Sequence, residues 1–224
     1  IAGGHPVSLN GFVKNLGANS WSRFEIGLNN IPIDQTLLDA APPGFRKTVN
    51  VMNLRGQLGG TVVYEKRPGS QKTVMKVDGE LKNADMLYED FPYYADRLNG
   101  KITFDGRDWH FKDIIGFHDR AKLTTNGTFA NIDGQTVLDI SIQTENVPID
   151  KELYDALSKP LKQVWMDYRP SGTIKKSVCK VHWVVGQPAE IRLPAVEITD
   201  GTALAKAFPY PLTDITATYE WNPG

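Results

Sequence analysis

Most of the sequence alternates apolar and polar residues with a period of two. The runs LDISI at 138–142 and CKVHWVV at 179–185 place every second side chain, each of them apolar, on one side of a strand. Turn sequences such as RPGSQ at 67–71 and NIDGQ at 131–135 separate these runs. Closely spaced strands joined by short turns predict a mainly β fold whose strands pair in an antiparallel sheet.

Two segments interrupt the alternation and predict a pair of short amphipathic helices each. Asp34 and Asp150 follow a Pro-Ile pair, and their short acceptor side chains suit the N-cap position of a helix. Further on, apolar residues recur at helical spacing over 161–168. Gly56 and Gly172 then return the chain to strand.

The two helical segments are copies of one another. NIPIDQTLLDAA at 30–41 returns as NVPIDKELYDAL at 146–157, an offset of 116 residues, and FPY at 91–93 returns at 208–210 with an offset of 117. The chain is therefore predicted to hold about two copies of one unit, which share a continuous core. The expected divisions are 1–29 as the end of a preceding unit, 30–145 as a complete unit of helix pair and strand meander, and 146–224 as the start of the next unit.

Composition places the chain among ordered proteins. It has 224 residues, of which 41% are hydrophobic and 23% charged. A net charge of −1 argues against a general nucleic-acid binder, and no apolar run reaches the roughly 18 residues of a membrane-spanning segment. The single cysteine cannot form an intrachain disulfide. Because the sequence does not begin with Met and starts within a unit, we expect it to be an internal section of a longer protein.

Candidate chemistry is sparse. The four histidines show no zinc-type spacing, and His110 and His182 occupy polar positions of alternating strands. Cys179 falls on an apolar strand side, which predicts a buried, unreactive thiol. The recurring aspartates travel with the helices, so helix capping explains them better than catalysis does. We therefore expect no catalytic residue, no metal, no cofactor and no enzymatic activity.

The apolar strand sides leave two possibilities open. A sheet with one apolar face must cover that face, and two short helices per unit could cover only part of it. Either the sheet curls on itself into a closed core, or it leaves an apolar trough.

The repeat motif resembles the AsmA-like family of bacterial envelope proteins. The stretches that carry the resemblance are NIPIDQTLLDAAPPGFRKTVNVMNLRGQLGG, NVPIDKELYDALSKPLKQVWMDYRPSGTIKK and the preceding LTTNGTFANIDGQTVLDISIQTEN. The resemblance implies a curved antiparallel sheet with a taco-like or U-shaped section. It also implies a periplasmic location, an anchor in the inner membrane through a part of the protein not contained in this sequence, and a role in lipid transport and outer-membrane biogenesis.

On this resemblance, we expect the apolar strand face to bind or conduct phospholipid acyl chains. The alternative is a structural or scaffolding repeat with a closed core that presents surfaces to other envelope proteins. The expected lining residues are Met75, Val77, Leu81, Ile102, Phe104, Leu138, Ile140, Ile142, Val181, Trp183, Val185, Tyr219 and Trp221.

Overall fold

The structure, a computed structural model, describes residues 4–17, 19–40 and 43–221 and contains eleven strands and four short helices. The helices are α1 (Gln35–Ala40), α2 (Pro43–Val51), α3 (Lys151–Ala156) and α4 (Lys159–Tyr168). The strands are β1 (Val7–Lys14), β2 (Trp21–Pro32), β3 (Arg55–Lys66), β4 (Val74–Tyr88), β5 (Phe91–Phe104), β6 (Trp109–His118), β7 (Ala121–Ile132), β8 (Gln135–Pro148), β9 (Ser171–Val184), β10 (Glu190–Ala205) and β11 (Phe208–Trp221).

All eleven strands form one antiparallel sheet in chain order, with β1 and β11 as its two edges. Strands account for about two thirds of the residues that the structure describes. The prediction of a mainly β fold, with an antiparallel sheet and short helix pairs, is confirmed. Because each strand pairs with its sequence neighbours, the meander predicted from the closely spaced turns is also the connectivity of the sheet.

Each helix pair is an excursion from the sheet that begins with a capping aspartate. Asp34 Oδ1 accepts a hydrogen bond from the Leu37 N–H at 2.9 Å, and Asp150 Oδ1 accepts one from the Leu153 N–H at 3.0 Å. These bonds satisfy donors that the first turn of a helix leaves without an intrahelical partner. Arg169, at φ 44°, ends α4 in the left-handed conformation.

A backbone hydrogen bond closes both excursions at their base. Ile33 N–H donates to the Gly56 carbonyl at 2.9 Å, and Ile149 N–H donates to the Gly172 carbonyl at 3.0 Å. Gly56 and Gly172 have φ values of 134° and 124°, a conformation that glycine reaches without steric cost. The structure therefore repeats at the offset of 116 residues that the sequence shows.

The helix pairs lie on one side of the sheet, the helix-bearing face. Under α1 and α2, a core forms from Ile33, Leu38, Val49, Leu81, Ala84, Ala95, Leu98 and Ile114. Under α3, a smaller core forms from Tyr93, Ala121, Val147 and Ala156. Tyr93 belongs to β5, so the second helix pair covers a strand that follows the first helix pair, and consecutive units interlock.

The molecule exposes more surface than a compact protein of its size. Its solvent-accessible area is 14477 Å² at 24.9 kDa. A compact monomer of this mass exposes about 10,200 Å². The excess is what a single-layer sheet with partial helix cover produces, because most side chains on both faces keep some contact with water.

The capping assignment gives the first prediction. Asp150→Asn should change the free energy of unfolding by less than about 0.5 kcal/mol, because Asn caps helices as well as Asp. Asp150→Ala should cost about 1 kcal/mol, because the Leu153 N–H loses its acceptor. Urea titration followed by circular dichroism measures both values. An equal loss in the two variants would contradict a capping role and assign a function to the carboxylate charge.

Candidate functional site

The strand register shows which side chains share the helix-bearing face, because residues directly opposite one another in an antiparallel sheet point to the same side. Following opposite residues from strand to strand gives an unbroken row across β1 to β9. All nine residues of this first row are apolar: Leu9, Ile26, Val62, Val77, Phe104, Trp109, Phe129, Leu138 and Trp183.

A second row runs beside the first, one step nearer to the helices. It extends across β1 to β10 and contains no charged residue. Its members are Val7, Leu28, Gly60, Gly79, Ile102, Phe111, Gly127, Ile140, Val181 and Ile191. We call the two rows together the apolar track.

Three positions of the second row are glycines, which lowers the floor of the track. Two of them are also required by the sheet itself. A Cβ at Gly60 would lie 2.2 Å from the Asp78 carbonyl oxygen, and one at Gly127 would lie 2.4 Å from the Asp139 carbonyl oxygen. Close strand packing therefore explains these glycines, and no side chain rises from the track at their positions.

The helices cover the sheet beside the track and leave the first row open. None of the nine first-row residues belongs to either core, and all except the exposed edge residue Leu9 are half-buried. In the second row, Ile102 and Phe111 pack against the core under α1 and α2, so this row borders the covered half. At about 4.8 Å per strand the first row is about 38 Å long, more than the roughly 30 Å hydrocarbon thickness of a bilayer.

Most of the predicted lining residues lie on this open part of the face. Val77, Phe104, Leu138 and Trp183 are in the first row. Ile102, Ile140 and Val181 are in the second row. Met75 and Ile142 flank the rows, and Tyr219 and Trp221 lie on the same face of the edge strand β11.

Two predicted lining residues lie elsewhere. Leu81 lies on the helix-bearing face, two residues along β4 from Gly79 of the second row. Because α1 and α2 cover it, Leu81 is buried in their core and does not line an open surface. Val185 follows the end of β9, where its N–H donates to the Thr136 carbonyl in a turn. Five first-row residues were not predicted to line the face: Leu9, Ile26, Val62, Trp109 and Phe129. The alternation in FEIGL at 24–28 is a signal for Ile26.

The opposite face of the sheet is mainly polar, although it also carries Val63, Val137 and Val184. Asp139 and His182 are opposite one another there, with Asp139 Oδ1 2.6 Å from His182 Nδ1. His110 lies on the same polar side, 3.4 Å from an Asp105 carboxylate oxygen. The sheet is therefore amphipathic, with its apolar side toward the helices.

One buried polar cluster was not anticipated. His118 is buried at the end of β6, with Nδ1 2.8 Å from the Tyr94 carbonyl oxygen and its ring 4.0 Å from the Tyr93 ring. Its Nε2 lies 2.8 Å from Glu152 Oε2 on α3 but is not aligned for a hydrogen bond. Burial, and then the nearby Asp150 charge, raise the pKa of Tyr93. This cluster joins α3 to the sheet. Its residues lie far apart in the sequence and form no motif from which the cluster could have been predicted.

An open cavity of about 430 Å³ lies beside α3 and α4. Tyr154, Trp165 and Met166 form its apolar wall, and Lys151 and Arg169 add positive charge at its rim. In the part of the chain that the structure describes, no group of three or more His, Cys, Asp or Glu side chains could hold a metal ion. Within the same residues, every helix is too short or too polar to span a bilayer.

Comparison with known proteins finds no matching family model, no matching curated protein and no matching solved structure. The function is therefore inferred from the geometry of the apolar track.

The thiol of Cys179 offers a test of the local environment. Cys179 is opposite Ile142 on the helix-bearing face, and burial raises its pKa. A raised pKa keeps the thiol protonated to higher pH, so alkylation by iodoacetamide should become fast only above the ordinary thiol range. Mass spectrometry of samples labelled between pH 7 and 11 measures the rates. A labelling midpoint at or below that of the urea-unfolded chain would contradict the assigned environment.

Proposed function

We propose that this protein binds phospholipid acyl chains on the apolar track and lets them move along it. The observation that carries the proposal is the first row, in which nine successive strands each present an apolar side chain that no helix covers. A continuous row of apolar side chains that stay partly accessible to water is typical of a binding surface.

The energetics favour an acyl chain as the ligand. Each methylene removed from water contributes about 0.8 kcal/mol, so affinity grows with every strand that the chain crosses. Since the first row continues without a charged or polar residue, a shift by one strand exchanges one apolar contact for another. Movement of the acyl chain along the row then changes the free energy little. This favours conduction of the lipid along the row over tight binding at one place.

The polar headgroup of such a lipid can remain in contact with water. The track is open on the side away from the helices, so a headgroup can stay hydrated while the acyl chain lies across the strands. Transfer of this kind breaks no covalent bond, so the proposal needs no catalytic residue.

The resemblance to the AsmA-like family supports the same proposal and extends it. In that reading the chain is a periplasmic segment of an envelope protein, anchored to the inner membrane elsewhere in the polypeptide, and its track serves lipid transport for outer-membrane biogenesis. The scaffolding alternative is supported by the buried cores under α1, α2 and α3, but it does not explain the uncovered row.

The proposal is tested by placing a charge in the row. Leu138→Asp should lower the amount of bound phospholipid at least tenfold, because an ionised carboxylate in the acyl path loses the contact and must be desolvated. Ser141→Asp, on the polar face of the same strand, is the matched control and should bind as the original protein does. Native mass spectrometry with lipid extraction, after incubation with phospholipid vesicles, measures the bound lipid.

As a control, circular dichroism should show the same β-sheet signal for both variants as for the original protein. Absence of bound lipid on the original protein would contradict the proposal, and so would equal binding by the two variants.

A further inference from the structure

His118 lies buried at the junction between the two units. It ends β6 and is opposite Ala121 of β7 on the helix-bearing face, and only 7% of it is exposed. Glu152, on α3 of the second helix pair, brings its Oε2 atom to 2.8 Å from His118 Nε2. Since His118 belongs to the unit 30–145 and Glu152 to the unit that starts at 146, this contact joins the two units.

Both ring nitrogens of His118 face oxygen atoms. Nδ1 lies 2.8 Å from the Tyr94 carbonyl oxygen, which can only accept a hydrogen bond, so Nδ1 carries a proton. Nε2 faces the Glu152 carboxylate, and an ionised carboxylate also offers only acceptor atoms. The close contact therefore requires a second proton, on Nε2 or on the carboxyl group. With that proton on Nε2, an imidazolium faces a carboxylate, and opposite charges attract without the alignment that a hydrogen bond needs.

The groups that pack around this contact add negative charge. Asp150 caps α3, and Asp119 follows His118 in the chain. The centre of the Tyr93 ring lies 4.0 Å from that of the His118 ring. Burial raises the pKa of Tyr93 most, and the charges of Asp150, Glu152 and Asp119 raise it further. Three carboxylates thus act on the space between the sheet and α3, while Tyr93 stays uncharged.

The neighbouring strands do not supply the opposite charge. Arg97 of β5 comes near, with Nη2 3.5 Å from the Asp119 carbonyl oxygen, but its guanidinium lies over the Phe117 ring and its Nε pairs with Asp96. Phe117 and His118 are successive strand residues, so their side chains point to opposite faces. Ala121 of β7 carries no charge. The charge that faces Glu152 from the sheet is therefore the proton of His118.

We propose that the proton between His118 and Glu152 controls the docking of α3 on the sheet. With the proton in place, α3 covers the junction between the units. When the proton leaves to water as the pH rises, two acceptor atoms face one another at 2.8 Å. Such a contact is repulsive and leaves both groups without a partner, so α3 moves away from the junction.

The direction of the pH dependence follows from a count of protons. An exposed histidine holds its proton below about pH 6.5, and an exposed glutamate holds one below about pH 4.3. Between these values the undocked pair binds one proton, as the docked pair does, so the docking equilibrium is constant. Above about pH 6.5 the undocked pair binds none while the docked pair keeps its proton. Docking therefore weakens by up to tenfold per pH unit.

Release of α3 changes what the helix-bearing face presents to water. Tyr93, Ala121 and Val147 are 7%, 0% and 5% exposed in the core under α3. These side chains become accessible when α3 leaves, and the second helix pair loses this contact with the first unit. This inference concerns the junction between the units and is independent of lipid binding on the track.

The first helix pair provides an internal control for a hydrogen-exchange experiment on the full chain. The counterpart of Glu152 in α1 is Thr36, which carries no charge. Exchange is measured by mass spectrometry between pH 5 and 9, and the protection of α3 is divided by that of α1, which cancels the intrinsic pH dependence of exchange. The ratio should be constant from pH 5 to 6 and should fall at least tenfold by pH 9.

Two variants form a matched pair for the same experiment. Glu152→Gln should hold the ratio constant up to pH 9, because a carboxamide N–H can donate to an unprotonated Nε2. The Glu152 side chain is 67% exposed, so this substitution leaves the core intact. His182→Gln removes a histidine that also faces a carboxylate, Asp139, but on the opposite face of the sheet. It should keep the pH dependence of the original protein.

Three outcomes would overturn the proposal. The first is a ratio that does not change between pH 5 and 9 in the original protein. The second is a pH dependence that persists in Glu152→Gln, which would assign it to other groups. The third is a pH dependence that disappears in His182→Gln, which would place the titrating histidine on the polar face.

Discussion

Two short helices pack against part of one apolar sheet face. This contact determines how the remaining parts of the fold are arranged. Helices α1 and α2 bury Leu81, Ala84 and Leu98 on one half of the face. They are too short to reach the first row, and no second sheet lies above it in the described residues. The same contact therefore builds the core and creates the uncovered track beside it.

The repeat turns this local arrangement into a continuous one. Because α3 of the second helix pair covers Tyr93 on β5, the second unit completes the core of the first. The strands pass from one unit to the next without a break in pairing. As a result, the track crosses the junction between units.

Much of this could be predicted from the sequence, because it depends on local rules. Period-two alternation identified Leu138, Ile140 and Val181 as members of one face, and the repeated Pro-Ile-Asp motif located the helix starts at Asp34 and Asp150. Neither rule predicts how much of the sheet a helix pair covers. The sequence alone therefore does not decide between a closed core and an open apolar trough. Leu81 shows the difficulty: it shares a face with Val77 in an unbroken register, but the overlying helices bury it in the core.

The cluster of His118, Tyr93 and Glu152 could not be predicted for a related reason. Its members come from three elements that meet only after the second helix pair docks on the first unit, and their sequence separation follows no known motif.

The first row and its flank are open to solvent, whereas helices cover the neighbouring half of the same face. Hydroxyl-radical footprinting compares the two halves on the same residue type, since Tyr64 lies on the open half at 37% exposure and Tyr93 lies under α3 at 7%. If oxidation rate scales with exposed area, Tyr64 should be oxidised about fivefold faster than Tyr93. Equal, slow oxidation of the two residues would mean that the apolar half is covered and would contradict the account.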